Sequence, residues 1–326
     1  MKVLFIGGTG IISSACSTLA IEHGFELYLL NRGITNRRVP EGAKRLQGDI
    51  RDKASVLSAI DNLHFDVVVN WISYTPEHID TDIDLFSERT HQYVFISSAS
   101  VYQTPPAVLP VTEFTPLDNP FWEYSRNKIA CEEKLVRAYK ENGFPITIVR
   151  PSHTYDRTTF PVHGGYTVVN RMRKGKKVVV HGDGSSLWVL THHRDFAKGF
   201  VGLLGNDDAI GEDFHITSDE LLTWNQIHEI IADAASIKAD LTHVPSNVIA
   251  ELDREWGDSL LGDKTHSMIF NNTKIKQIVP SFSATIPFSV GVKEIIQWHD
   301  EEHSRRFVDE SLDQLMDVLI QKYDTA

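Results

Sequence analysis

The chain has 326 residues, of which 41% are hydrophobic and 23% charged, a balance that fits a packed globular protein of one large domain or two coupled ones and leaves no disordered block. Its net charge of −12 argues against a protein that tracks nucleic-acid phosphates, because such proteins concentrate Lys and Arg on one face. The only cysteines, Cys16 and Cys131, fall in amphipathic helical patterns without metal-ligand spacing and read as reduced packing residues.

At the start, Met1-Lys2-Val3-Leu4-Phe5-Ile6 runs straight into Gly7-Gly8, which is too short an apolar stretch for a signal peptide. No run of about 18 apolar residues follows, so no membrane partner is expected and the cytoplasm is the expected location. β-Branched runs near 2–6, 26–30, 44–47, 66–70, 92–97 and 145–149 alternate with helical patterns. That rhythm predicts an α/β fold with a doubly wound parallel sheet over residues 1–150, completed by part of 178–215.

After Arg150-Pro151 the rhythm becomes irregular, and His163-Gly164-Gly165 and Gly182-Asp183-Gly184 mark turns. Residues 151–326 are therefore read mainly as a smaller C-terminal substrate-binding lobe. Within it, Thr223 and Gln226 have the spacing of a capping box, for a helix running to about Ser236. Leu312, Leu315, Met316, Leu319 and Ile320 form an apolar stripe at helical spacing. This helix is expected to dock on its own subunit, with a homodimer contact as the alternative.

Directly after the first strand, Gly7-Gly8-Thr9-Gly10-Ile11-Ile12-Ser13 opens a helix. Glycines there allow a tight turn and a close approach to a pyrophosphate seated on the helix N-terminus, which makes this a Rossmann-type dinucleotide loop. Gly7, Thr9, Gly10, Ile11 and Ile12 are the expected cofactor contacts. Asn31-Arg32 ends the second strand where an NAD-specific site places an acidic residue, and Arg37 and Arg38 follow. Guanidinium groups there favour NADP, with NAD as the alternative. Asp49 and Ile50, after the third strand, are expected at the adenine.

The fifth strand runs into Ser97-Ser98-Ala99-Ser100-Val101-Tyr102, and a later helix carries Tyr124-Ser125-Arg126-Asn127-Lys128. Tyr124 and Lys128, at i and i+4, share a helical face, so the ammonium is expected near the phenol, lowering its pKa toward neutrality.

These segments and Arg150-Pro151 resemble, in order and spacing over roughly residues 1–300, the extended short-chain dehydrogenase/reductases of the NAD-dependent epimerase/dehydratase group. The resemblance implies that Ser98 hydrogen-bonds the substrate oxygen, that Tyr124 is the acid/base, and that Lys128 binds the nicotinamide ribose. Ser97 and Ser100 are the less favoured serines. It implies an NAD(P)-dependent epimerase or reductase acting on a sugar or nucleotide sugar.

The sequence also departs from that pattern. Ala99-Ser100 stands where the dehydratases carry Asp-Glu, which disfavours dehydration. His153 replaces an Asn, and Trp188 replaces an Arg that would grip a diphosphate, so a smaller sugar or polyol stays open as substrate. Ser100, His153 and Trp188 are the candidate substrate contacts. His153 reads either as an acid or as a hydrogen-bonded structural residue. Adjacent His192 and His193 are read as lying on one strand and facing opposite ways, so no metal is expected. The short segment between Trp71 and Gln92 and the run Asn31-Arg32-Gly33 also resemble the chloroplast RNA-binding branch of the superfamily. A redox-inactive NAD(P)-binding protein, acting on RNA or as a sensor, is the rival reading.

Overall fold

Val3, Leu4, Phe5 and Ile6 are all buried, the pattern of a strand covered on both faces rather than on one. This strand, β1 (Lys2–Ile6), lies inside a seven-stranded sheet with β2 (Glu26–Asn31), β3 (Lys44–Gln47), β4 (Phe65–Asn70), β5 (Thr90–Ile96) and β6 (Ile146–Pro151). Short strands follow as β7 (His153–Tyr155), β8 (Val178–His181), β9 (Leu187–Trp188) and β10 (Leu190–His192), before β11 (Asp213–Ile216) supplies the seventh strand. The order is β11-β6-β5-β4-β1-β2-β3, and each neighbouring pair is parallel. The computed structural model describes residues 1–34 and 37–323, so the last three residues of the expected lobe lie outside the described residues.

Parallel strands need crossovers, and here these are helices on both faces. On one face α1 (Ile11–Glu22) meets a late helix, His193–Leu203, around Cys16, Phe196 and Phe200. On the other, α2 (Lys53–Ile60), α3 (Pro76–Phe86) and α4 (Glu123–Asn142) bury Val56, Ile79, Phe86, Cys131 and Leu135. Strand order reverses between β1 and β4, which opens a crevice at their carboxyl ends.

The lobe has its own core. In it β8 pairs with Leu241–Val244 rather than with the central sheet. Within 178–215 the return to the sheet therefore begins at His193. The helix Trp224–Ala234 opens with the expected box: Gln226 N–H donates to Thr223 Oγ1 (3.1 Å) and Thr223 N–H to Gln226 Oε1 (2.8 Å). The C-terminal helix, Glu310–Tyr323, buries Leu312, Met316 and Leu319 in the lobe core, with Leu315 and Ile320 at its edge. Arg171, 1% exposed, holds it from below through Asp313 (2.6 Å) and Asp317 (2.7 Å). His192 and His193 do not share a strand. His192 ends β10 and caps the next helix, its Nδ1 accepting from Arg194 N–H, and His193 is already helical. The helical φ/ψ adopted after the cap removes the strand alternation.

Candidate active site

After β1 the chain turns through Gly7 (φ +102°) and Gly8 (φ +84°), a conformation that strains any residue with a side chain. A Cβ on Gly8 would also come within 2.6 Å of Leu29. Ser17 donates its hydroxyl to the Gly8 carbonyl (2.7 Å) and Gly10 N–H donates to Ser13 Oγ (2.8 Å), so Ser13 locks the loop as well as being small. The loop floors a cleft of about 660 Å³. Gly7, Thr9, Gly10, Ile11 and Ile12 line it, as do Asn31 and Arg32 after β2 and Asp49 and Ile50 after β3.

Arg32 is exposed at the rim, while Arg37 donates to the Thr9 carbonyl (3.1 Å) and so ties the basic loop to the glycine turn. Asp49 is occupied by Arg51 N–H (3.0 Å) through Oδ1. Two buried groups lining the cleft, Ser97 Oγ and Trp71 Nε1, lack a hydrogen-bond partner among the described residues. Unpaired buried donors, a helix N-terminus and a side-chain-free loop fit a dinucleotide with its pyrophosphate at Gly10–Ile12. The sequence does not single out Ser97 or Trp71 as a cofactor contact, because an unpaired buried donor is visible only once packing is known.

Tyr124 and Lys128 project from the first turns of α4 into the same cleft, and Ser98 stands beside the phenol in the adjoining cavity. Ser98 Oγ bonds Ser100 Oγ (2.9 Å), which accepts from Ser125 (2.8 Å), so a row of hydroxyls leads from the α4 interior to the phenol. Lys128 is 2% exposed, and its ammonium donates to the carbonyls of Ser73 (2.6 Å) and Ile96 (2.7 Å). Burial lowers its pKa to about 8.

The expected lowering of the phenol is not seen here: burial pushes Tyr124 up to about 12. The reason is geometric. Lys128 Nζ sits 5.8 Å from the Tyr124 ring centroid with its protons directed to two carbonyls, and it lies closer to Phe95 (4.7 Å) and Tyr74 (4.9 Å).

The turn that carries the Ser73 carbonyl is in turn held by a group that sequence reasoning misses. Asp82 of α3 is fully buried and accepts from Asn70 Nδ2 (2.9 and 2.8 Å), Ser73 Oγ (2.6 Å) and Tyr93 OH (2.6 Å). Burial outweighs these bonds and raises its pKa to about 6. One carboxylate thus braces the whole turn after β4 that presents Trp71, Ile72 and Ser73 to the cleft. Nothing in DTDID as a helical repeat marks the middle Asp as the buried one.

Beyond Tyr124 the cleft continues into a cavity of about 300 Å³ under the lobe, lined by Ser98, Ser100, His153 and Trp188 among others. The three candidate substrate contacts, Ser100, His153 and Trp188, are therefore brought together beside the phenol. Trp188 Nε1 donates to His153 Nδ1 (3.1 Å), and burial drops His153 to about 3. A neutral ring that already accepts a bond cannot serve as the acid, which corrects the acid reading of His153. Asp263 and Lys264 face this cavity from the turn at Leu260–Lys264. They have no sequence signal, since they sit in an irregular stretch far from any motif.

The NAD dependent epimerase/dehydratase family model matches residues 3–217, which takes in the glycine turn, the hydroxyl row and α4. The chain belongs to this family. Among its relatives, a chloroplast stem-loop binding protein of 41 kDa from Arabidopsis thaliana is 26% identical over 72% of this chain and 63% of its own length. A UDP-glucose 4-epimerase from Lactobacillus helveticus is 31% identical over 46% of this chain and 51% of its own. The chain thus spans between half and two thirds of these relatives. A structure of the Thermus thermophilus UDP-glucose 4-epimerase in complex with NAD superposes with a TM-score of 0.72 at 20% identity, covering 91% of this chain and 98% of that one. The family's fold accounts for the crevice at the β1/β4 reversal. No described helix is long and apolar enough to cross a membrane.

Proposed function

We propose that this protein is an NAD(P)-dependent epimerase or reductase acting on a sugar or nucleotide sugar, with Tyr124 as acid/base. The observation that carries the reading is the position of Tyr124, which lines both the dinucleotide cleft and the second cavity, with Ser98 facing that second cavity. The similarity to UDP-glucose 4-epimerases supports the substrate class. Gly7 to Ile12 would hold the pyrophosphate, Asn31 and Arg32 the adenosine ribose end, and Lys128 the nicotinamide ribose. When bound, the nicotinamide supplies the hydride acceptor and donor.

The rest falls to the chain. Ser98 Oγ and Tyr124 Oη hold one substrate oxygen, and Tyr124 Oη exchanges its proton. A phenol near 12 starts as a proton donor, so acting as a base requires added positive charge in the cleft. Lys128, whose pKa burial lowers to about 8, is the cation one helical turn away from it. Neutral Asn31 beside Arg32 supports NADP over NAD, because a guanidinium favours a 2′-phosphate that a carboxylate would repel.

The test is a screen of sugars and nucleotide sugars for a change in nicotinamide absorbance or for epimer formation, with wild type compared with Tyr124→Phe. Turnover by wild type that disappears in Tyr124→Phe is expected, and retention of more than about a tenth of the rate refutes the role. The resemblance to the stem-loop binding protein favours a second reading, an RNA-binding protein that keeps a silent dinucleotide site. A gel shift by a stem-loop RNA that survives physiological salt would select it. The net charge of −12 predicts that any such complex dissolves as salt rises.

A further inference from the structure

The cavity beside Tyr124 has an unusual charge inventory for a site that would receive a nucleoside diphosphate. Among its lining residues there is one cation, Lys264, and one anion, Asp263. No arginine lines it, nor does any line the adjoining space of about 220 Å³ that shares His153 and Lys264 with it. Lys264 offers a phosphate a single ammonium in place of a guanidinium fork. Its ammonium donates to the Ser259 carbonyl (3.5 Å), lies 3.7 Å from Asp263 Oδ2 and sits 5.4 and 5.8 Å from the Trp122 and Trp188 ring centroids.

Asp263 stands differently. Its side chain is 16% exposed, and among the described residues that loose contact with Lys264 is the one partner of its carboxylate. Two oxygens offer about four acceptor sites, so most of its capacity stays open toward the cavity. Burial raises its pKa to about 6, and its charge adds to the elevation of Tyr124. The walls are aromatic, with the Trp122 ring 5.0 Å from the Tyr124 ring and Trp188 fixed by its bond to His153.

We propose that Asp263 is the specificity-determining residue of this cavity, accepting the hydroxyls of an uncharged polyhydroxylated substrate whose C–H face packs on Trp122 and Trp188, and that the cavity rejects nucleoside diphosphates. A free sugar, a simple glycoside and a polyol all present adjacent O–H donors and an apolar face, which is what this pairing of carboxylate and indole complements. A diphosphate would instead enter a space holding a carboxylate, a single ammonium beside it and no guanidinium, and would lose hydration without gaining bidentate partners. The inference rests on reading the cavity as the sugar-binding half of the site.

Binding can be measured without turnover. With the full chain saturated with NADP, neutral monosaccharides, methyl glycosides and polyols are compared with UDP and UDP-glucose by saturation-transfer NMR and by calorimetry. At least one neutral ligand is expected to bind, UDP is expected not to displace it, and Asp263→Asn should weaken it at least tenfold, the usual scale for a bond to a charged acceptor. Lys264→Met, which frees the carboxylate, should retain neutral-ligand binding within about fivefold if Asp263 is the receiving group. Tighter binding of UDP than of every neutral ligand overturns the proposal, as does unchanged affinity in Asp263→Asn, loss of neutral binding in Lys264→Met, or no neutral binding at the solubility limit. Neutral binding without hydride transfer or epimer formation would leave this inference standing and remove the redox reading instead.

Discussion

The dinucleotide cleft takes its walls from turns that each follow a strand of one sheet, after β1, β2, β3, β4 and β5. The cavity beside it takes its walls from Trp122 ahead of α4, from His153 and Trp188 on two short strands, and from the turn Leu260–Lys264. In the first region the recognising groups are largely backbone amides and a helix end, fixed by the sheet. In the second they are side chains whose neighbours are set by lobe packing. A scaffold of parallel strands therefore keeps the cofactor half constant while leaving the other half open to change in charge and shape.

The sharpest way to separate the two halves is Tyr124→Phe. Loss of the positioned hydroxyl should cost about 10²–10⁴-fold in turnover, roughly 3–5 kcal/mol of transition-state stabilisation. Cofactor affinity, followed by fluorescence titration, should stay within about threefold, because the ring keeps its packing and the glycine turn is untouched. Parallel losses in both readouts would mean that the halves are not independent.

A smaller but broader effect is expected at Asp82. Asp82→Ala strips the acceptor from the buried groups Asn70, Ser73 and Tyr93. The protein should lose about 3 kcal/mol in chemical denaturation. Cofactor binding should weaken more than binding in the substrate cavity, because the Ser73 carbonyl positions Lys128. Equal weakening on both sides would show that the turn after β4 serves the whole site.

Arg32→Asp acts on the cofactor half alone. A guanidinium–phosphate bond is worth about 1.5–3 kcal/mol, so the proposed preference for NADP should fall by roughly ten- to a hundredfold and reverse. Calorimetry with both dinucleotides reads this directly, and an unchanged ratio would assign the phosphate contact elsewhere, with Arg37 and Arg38 the next residues to vary.

The last comparison is in pH dependence, which is spread over many buried groups rather than placed at one residue. Burial lowers His153 to about 3 and His181, His192, His193, His215 and His228 to about 4. A depressed folded pKa gives stability that is present above the unfolded value near 6.5 and is lost as pH falls through the folded one. Asp82 and Asp263, raised to about 6, work the other way between about 4 and 6. Six histidines outweigh two carboxylates, so the melting temperature should drop between pH 6.5 and 4. Since His153, His181 and His228 lie in or against the lobe core, tryptophan fluorescence, dominated by lobe residues, should register the drop before far-UV circular dichroism. His228→Gln, which removes one buried ring bonded to the Trp224 carbonyl (2.8 Å), should flatten the slope slightly.

How much of this is legible beforehand varies with the range of the interactions involved. The six N-terminal strands fall within a few residues of their expected places because period and β-branching are local, and the capping box at Thr223 and the C-terminal stripe are readable for the same reason. The glycine turn and the Tyr124–Lys128 spacing fix which residues line one cleft. Their protonation does not follow, because a one-turn spacing says that Lys128 shares a face with Tyr124 but not that the Ser73 and Ile96 carbonyls will take its protons.

By itself, then, the sequence determined the alternating α/β order, the dinucleotide turn and the family's hydroxyl–tyrosine–lysine pattern, all written in residues close along the chain. Tertiary structure alone decided that Asp213–Ile216 completes the sheet, that Val178–His181 does not, that His153 is a neutral acceptor, that Trp71, Asp263 and Lys264 line the two cavities, and that Asp82 braces the turn after β4. Those outcomes depend on desolvation and on partners brought from distant segments, and neither burial nor a long-range partner leaves a periodic mark in the chain.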